Sequence, residues 1–138
     1  MALIKIYTKK ENQDELVSHV ARAIKLVGSA ALNVEGFETT PGGVETAYVE
    51  AIDIIEIDYI CEIIGVKRPD EQSIADNFIA GMNEVYPDKL FSVYFVHIDE
   101  VGMSNTPRKQ SECSTISLEE AVRQSLARVE QLNGLINT

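Results

Sequence analysis

Several function classes depend on residues this 138-residue chain has in short supply. Its only cysteines are Cys61 and Cys113, and they form no Cys-x-x-Cys pair. A disulfide framework is therefore excluded, and the expected compartment is the reducing cytoplasm. Basic residues are few: 12 Lys and Arg stand against 22 Asp and Glu, a formal charge of −10. General nucleic-acid binding needs a basic surface and is not expected. No stretch approaches the ~18 apolar residues that cross a bilayer. The start, Met1-Ala2-Leu3-Ile4-Lys5, lacks a signal-peptide pattern, so no membrane association is expected. No P-loop, G-x-G-x-x-G or Ser-His-Asp signature occurs, and no cofactor is expected.

What remains is a chain that can build a core. It is 45% apolar with a mean hydropathy of −0.04, consistent with one folded domain. The charge is unevenly placed. Residues 1–40 and 101–138 are each balanced, so the whole −10 lies between 41 and 100. Residues 41–66 hold six acids and no Lys or Arg. These acids match no cation-loop spacing and have no His among them, so no metal site is expected; a solvated face is the plain reading.

Leu3–Thr8 reads as a first strand. Asn12 and Glu15 resemble a capping box, and Leu16, Val20, Ile24 and Val27 follow at helical spacing, with Gly28 as a stop signal. Ala31–Thr39 is then expected as strand two, before the turn Thr40-Pro41-Gly42-Gly43. Val44–Asp58 is ambiguous, with β-branched enrichment favouring extended structure in its second half. Tyr59–Val66 is a strand. Pro69 suits the start of a second helix with core positions Ile74, Phe78, Met82 and Val85, and Pro87 ends it. Leu90–Ile98 is the strongest strand. Asp99–Ile116 is polar and linker-like. Ser117-Leu118-Glu119-Glu120 is a capping box opening a third helix, with an apolar line through Leu118, Val122, Leu126, Val129, Leu132 and Ile136.

A shift of 58 residues registers the two halves: Lys9-Lys10 falls on Lys67-Arg68, Leu16 on Ile74, Val20 on Phe78, Val27 on Val85 and Leu32 on Leu90. Each half reads strand, basic pair, helix, strand, which is a β-α-β unit with parallel strands. The expected fold class is α+β: two β-α-β repeats forming a four-stranded sheet, both helices on one face, plus a C-terminal helix. Residues 1–100 form the duplicated domain and 101–138 the extension. Tyr59–Val66 and Leu90–Ile98 are apolar on both sides, so both sheet faces need cover. The second cover is helix three or another subunit, making a homo-oligomer an expected partner. A ferredoxin-like fold shares the same element order.

Two β-α-β halves, a basic pair after each first strand, and the opening Met-Ala-Leu-Ile-Lys-Ile-Tyr-Thr resemble the tautomerase superfamily, over about residues 2–100. The run Tyr59–Ile98 is especially similar to its two-repeat members. The resemblance implies a trimer whose sheets wrap a channel. It also implies an N-terminal proline acting as base on an enol or keto acid, with basic groups holding the substrate carboxylate. Here residue two is Ala2. With Met1 removed, Ala2 would offer a primary amine of pKa roughly 7.7–8 instead. The resemblance thus implies a diverged tautomerase or isomerase for a small anionic molecule; the alternative is a non-catalytic ligand-binding or oligomeric interaction module.

The residues themselves leave choices open. Lys9, Lys10, Lys67 and Arg68 are anion holders or solvated strand-end cations, and Arg68 is the better carboxylate clamp because its guanidinium is bidentate. His97, in phase with Phe91, Val93 and Phe95, is an acid–base group or a half-buried packing residue. Tyr94, on the opposite face, reaches a neighbour's site or simply packs. His19 falls at the edge of the first helix's core, Cys61 in the core, and Cys113 in the polar loop.

Overall fold

The computed structural model describes residues 2–52, 56–99, 112 and 114–136. Strands β1 (Ala2–Thr8), β2 (Val44–Glu50), β3 (Tyr59–Gly65) and β4 (Phe91–His97) form one sheet in the order β2-β1-β3-β4. Helix α1 spans residues 13–32, α2 is Glu71–Val85 and α3 is Leu118–Ile136. β1 pairs parallel with β2, and β3 with β4; the halves join through the antiparallel β1–β3 ladder. Each half is therefore a parallel β-α-β unit. Adjacency of β1 and β2 rules out the ferredoxin-like order, which interposes a strand between them.

The strands alternate with period two. Ala2, Ile4, Ile6 and Thr8 of β1, and Tyr59, Cys61, Ile63 and Gly65 of β3, are buried; their neighbours are partly exposed. Against that face α1 lays Leu16, Val20, Ile24 and Val27, and α2 lays Ile74, Phe78, Met82 and Val85. Each large apolar side chain in this cluster contributes about 1.5–3 kcal/mol on burial. Helix α3 packs on α1 and α2, burying Ala121, Val122 and Ser125. It forms an outer helical layer. The second sheet face carries Leu3, Lys5, Tyr7, Ile60, Glu62, Ile64, Tyr94 and Val96, and the last two are 42% and 40% exposed. Of the two covers expected for this face, α3 is thus used elsewhere.

Several local expectations change. The second strand is not Ala31–Thr39 but Val44–Glu50. Helix α1 does not stop at Gly28, because that glycine serves packing: a Cβ there would stand 2.8 Å from Ile4 Cδ1 and 3.7 Å from Phe78. The helix continues to Leu32, and residues 34–37 make a tight turn with Gly36 at φ +85°. Consequently the shift of 58 holds for the helix starts, while β1 and β3 register one residue closer, Ala2 on Tyr59, and β2 and β4 as Val44 on Phe91. Leu32, in a helix, and Leu90, before a strand, are not equivalent. Of the second half of Val44–Asp58, residues 51, 52 and 56–58 are not strand, and residues 53–55 lie outside the described residues.

Asn12 makes no side-chain cap, and its amide donates to Thr8 Oγ1 instead. Helix α2 is capped by Asp70, in the left-handed region at φ 52°, whose carboxylate accepts from Ser73 N–H at 3.4 Å. The capping box of α3 is half formed. Ser117 Oγ accepts from Glu120 N–H, while the Glu120 carboxylate turns to Arg123 and Gln124. Most of the polar stretch Asp99–Ile116, with Cys113, lies outside the described residues, as does Met1.

Candidate functional site

The antiparallel ladder places the start of β1 beside the ends of β3 and β4. Leu3 is opposite Ile64, Ala2 is opposite Val44, and Gly65 is opposite His97. Ala2 is therefore at the same sheet end as His97 and the segment after β3 that carries Arg68. Ala2 itself is only 2% exposed.

Arg68 is also buried, at 6% exposure. Its Nε–H donates to Leu32 O, one terminal nitrogen to Val66 O and the other to Thr39 Oγ1, all at 3.2 Å. Its guanidinium lies 5.6 Å over the Phe37 ring. A guanidinium has five N–H donors, so one hydrogen on each terminal nitrogen remains. Burial pulls its pKa below the ordinary arginine value, with Glu71 opposing. Arg68 backbone N–H reaches Glu71 Oε2 at 3.4 Å, and Glu71 Oε1 meets His97 Nε2 at 2.6 Å. Glu71 thus links Arg68 to His97. Glu71 is the first residue of α2, and nothing in the linear order pairs it with a residue 26 positions on.

The other candidates lie elsewhere. Lys9 and Lys10 sit at the far end of β1, beside Glu11, Glu50, Ala51 and Ile52, around an open depression of about 650 Å³. Seven strand residues at about 3.3 Å each put roughly 20 Å between them and Ala2. Within one chain they cannot share a small substrate with Ala2. Tyr94 is on the open sheet face. Its hydroxyl donates to Glu62 Oε2 at 2.5 Å, and Tyr7 reaches the same oxygen at 3.4 Å. That carboxylate pushes the Tyr94 phenol up to about 12. Cys61 is fully buried, and burial alone pushes its thiol up to about 12, making it inert packing. Among the described residues no group of three His, Cys, Asp or Glu side chains could hold a metal ion, and no helix is long and apolar enough to cross a membrane.

Paired parallel β-α-β units joined through the antiparallel contact of their first strands define a tautomerase-type α+β fold. Solved structures with this fold are accordingly similar to the chain, and they include tautomerase-superfamily members. Malonate semialdehyde decarboxylase matches at a TM-score of 0.51 and 14% identity, over 78% of this chain and 92% of that one. A domain of unknown function (DUF1904) from Sebaldella termitidis matches at 0.47 and 17%, over 76% and 95%. A macrophage migration inhibitory factor-like protein from Entamoeba histolytica matches at 0.43 and 12%, over 80% and 96%. At these identities the likeness is one of fold. No protein-family model and no curated protein matches the chain.

Proposed function

We propose that the chain is a diverged tautomerase- or isomerase-like protein whose site lies at the Ala2 end of the sheet and takes a small enol or keto acid. One observation carries this reading: buried Ala2 shares its sheet end with the Arg68–Glu71–His97 chain. In this reading the two remaining N–H groups of Arg68 hold the substrate carboxylate. His97, oriented by Glu71, exchanges a proton with the substrate. An Ala2 amine freed by loss of Met1 acts as a weak base. Residues 1–100 form the functional domain and 101–138 an extension bracing the helices. The protein works in the cytoplasm as a homo-oligomer, a trimer, burying the open sheet face; Lys9, Lys10 and Tyr94 then act only across subunits.

A second reading, a non-catalytic ligand-binding or interaction module, is favoured by the alanine at position two. Ala2→Pro with Met1 removed separates them. A rise in enol–keto conversion of phenylpyruvate or 2-hydroxymuconate supports a preserved site, and a folded variant with no gain supports the binding module. The N-terminal mass of the native protein shows whether the amine exists at all.

A further inference from the structure

At the opposite end of the sheet, a cleft of about 430 Å³ separates the first turns of α1 from the C-terminal half of α3. That volume falls within the range of small-molecule sites. Its α3 wall is mostly apolar, formed by Val129, Leu132 and Leu135 with Asn133 beside them. Its floor is polar and held from below. Tyr86 hydroxyl lies 2.7 Å from His19 Nδ1, with the two rings stacked at 5.5 Å. Tyr59 hydroxyl donates to Glu15 Oε1 at 2.7 Å. Both tyrosines are buried, at 0% and 7% exposure for Tyr59 and Tyr86. Along the same wall α1 departs from α-helical winding: Leu16–Val20 is π-helical, and this segment carries Ser18 and His19. Such single-turn π segments are frequent at functional sites.

We propose that this cleft is a second binding site, for a small neutral molecule with an apolar body and a hydrogen-bond-accepting head. In this proposal Tyr86 hydroxyl, 2.7 Å away, donates to His19 Nδ1. The ring's own hydrogen is then on Nε2, available as a donor. Burial lowers the His19 pKa and favours this neutral ring. The surrounding charges cancel. Asp14 and Glu15 of α1 line the cleft; Lys89, after α2, lies 3.6 Å from Glu15, and Arg128 of α3 acts on His19. A carboxylate ligand would meet the two acids that line the cleft, while Lys89 already holds Glu15 and Arg128 bears on His19, so an amine finds little unpaired charge there. The site is separate from the Ala2 end and stands or falls without it.

The test is a titration of the full chain with acetophenone, followed through backbone amide NMR shifts. Phenylacetate and 2-phenylethylamine serve as charged probes of similar size. Expected are saturable shifts at Ser18, His19, Leu132 and Asn133 with acetophenone, several-fold weaker with either charged probe, and lost in Leu132→Trp, which fills the cleft. Should that variant not fold, Ser18→Tyr on the exposed rim blocks the same space. Absence of saturable shifts, equal or tighter binding of a charged probe, or undiminished binding in a folded blocking variant overturns the proposal.

Discussion

Arg68 offers the sharpest test, because its two roles predict opposite outcomes for the ligand-free protein. A side chain kept only to clamp a substrate is neutral or costly to the apo fold, and its removal leaves stability unchanged or improved. The geometry says otherwise. Arg68→Ala removes the three hydrogen bonds to Leu32 O, Val66 O and Thr39 Oγ1, although Leu32 O keeps Val34 N–H and the Thr39 hydroxyl keeps Phe37 O. Each hydrogen bond lost is worth about 1 kcal/mol net, so about 3 kcal/mol in all. Contact with Phe37 adds about 0.5 kcal/mol, and relief of the guanidinium's own burial cost subtracts a similar amount. At roughly 2.1 cal/mol/K per residue, the unfolding entropy of 138 residues is about 0.29 kcal/mol/K, so Tm should fall by about 10 °C. Arg68→Lys keeps the charge but not the fork, and should recover less than half of this loss. Calorimetry at fixed protein concentration reads both shifts. An Arg68→Ala protein melting within about 2 °C of the parent would refute the structural role.

Other perturbations are equally direct. His19 is held neutral by burial, so its folded pKa lies below the unfolded value of 6.5. Between those two values the unfolded chain binds more protons, and stability falls as pH falls through this window. His19→Gln should flatten that part of the urea-midpoint profile; an unchanged slope counts against it. A Cβ on Gly81 would stand 2.8 Å from Val27 Cγ1 and 3.3 Å from Leu118, whereas one on Gly134 meets nothing within 4 Å. Gly134→Ala should therefore gain up to about 1 kcal/mol of helix propensity. Gly81→Ala should lose about 1 kcal/mol after overpacking at β-branched Val27 outweighs the same gain. Equal stabilisation of both variants by urea unfolding would show that the α1–α2 contact has slack. Light scattering should give a trimer mass; a monomer would mean that the open sheet face is tolerated in water.

The architecture was readable because its signals are local and periodic. The apolar runs Tyr59–Val66 and Leu90–Ile98 mark strands, and the spacing of Leu16, Val20 and Ile24 states which helix face is buried without knowledge of the partner. The errors fall where a residue's meaning depends on a distant neighbour. Gly28 looks like a helix stop until Ile4 and Phe78 are seen to press on it. With the stop misplaced, strand two moved to Ala31–Thr39, although Leu32 is wholly buried as the helix's last residue. Glu15 looks like a capping acid until Tyr59, 44 residues away, donates to it. The same limit hid Glu71 from the site, since a helix-start acid and a strand-end histidine meet only after the sheet closes.

The divergence of the two halves explains which basic pair can serve a site. Under the repeat, Lys10 and Arg68 occupy corresponding positions after β1 and β3. Their fates differ because the connections differ. After α1 the chain runs from Asn33 to Gly43 before β2, and it supplies Phe37 and Thr39, together with the α1 end at Leu32, as partners for Arg68. After α2 only residues 86–90 precede β4, and Lys10 stays exposed. An exposed lysine beside Glu11 is screened by water and holds an anion weakly. A guanidinium fixed by three acceptors keeps two N–H groups in place at no further entropy cost. Shortening the 33–43 connection should therefore free Arg68 and turn the Ala2 end into a second copy of the Lys10 end. A variant that lacks residues 34–38 yet keeps the parental Tm would show that this connection does not hold the arginine.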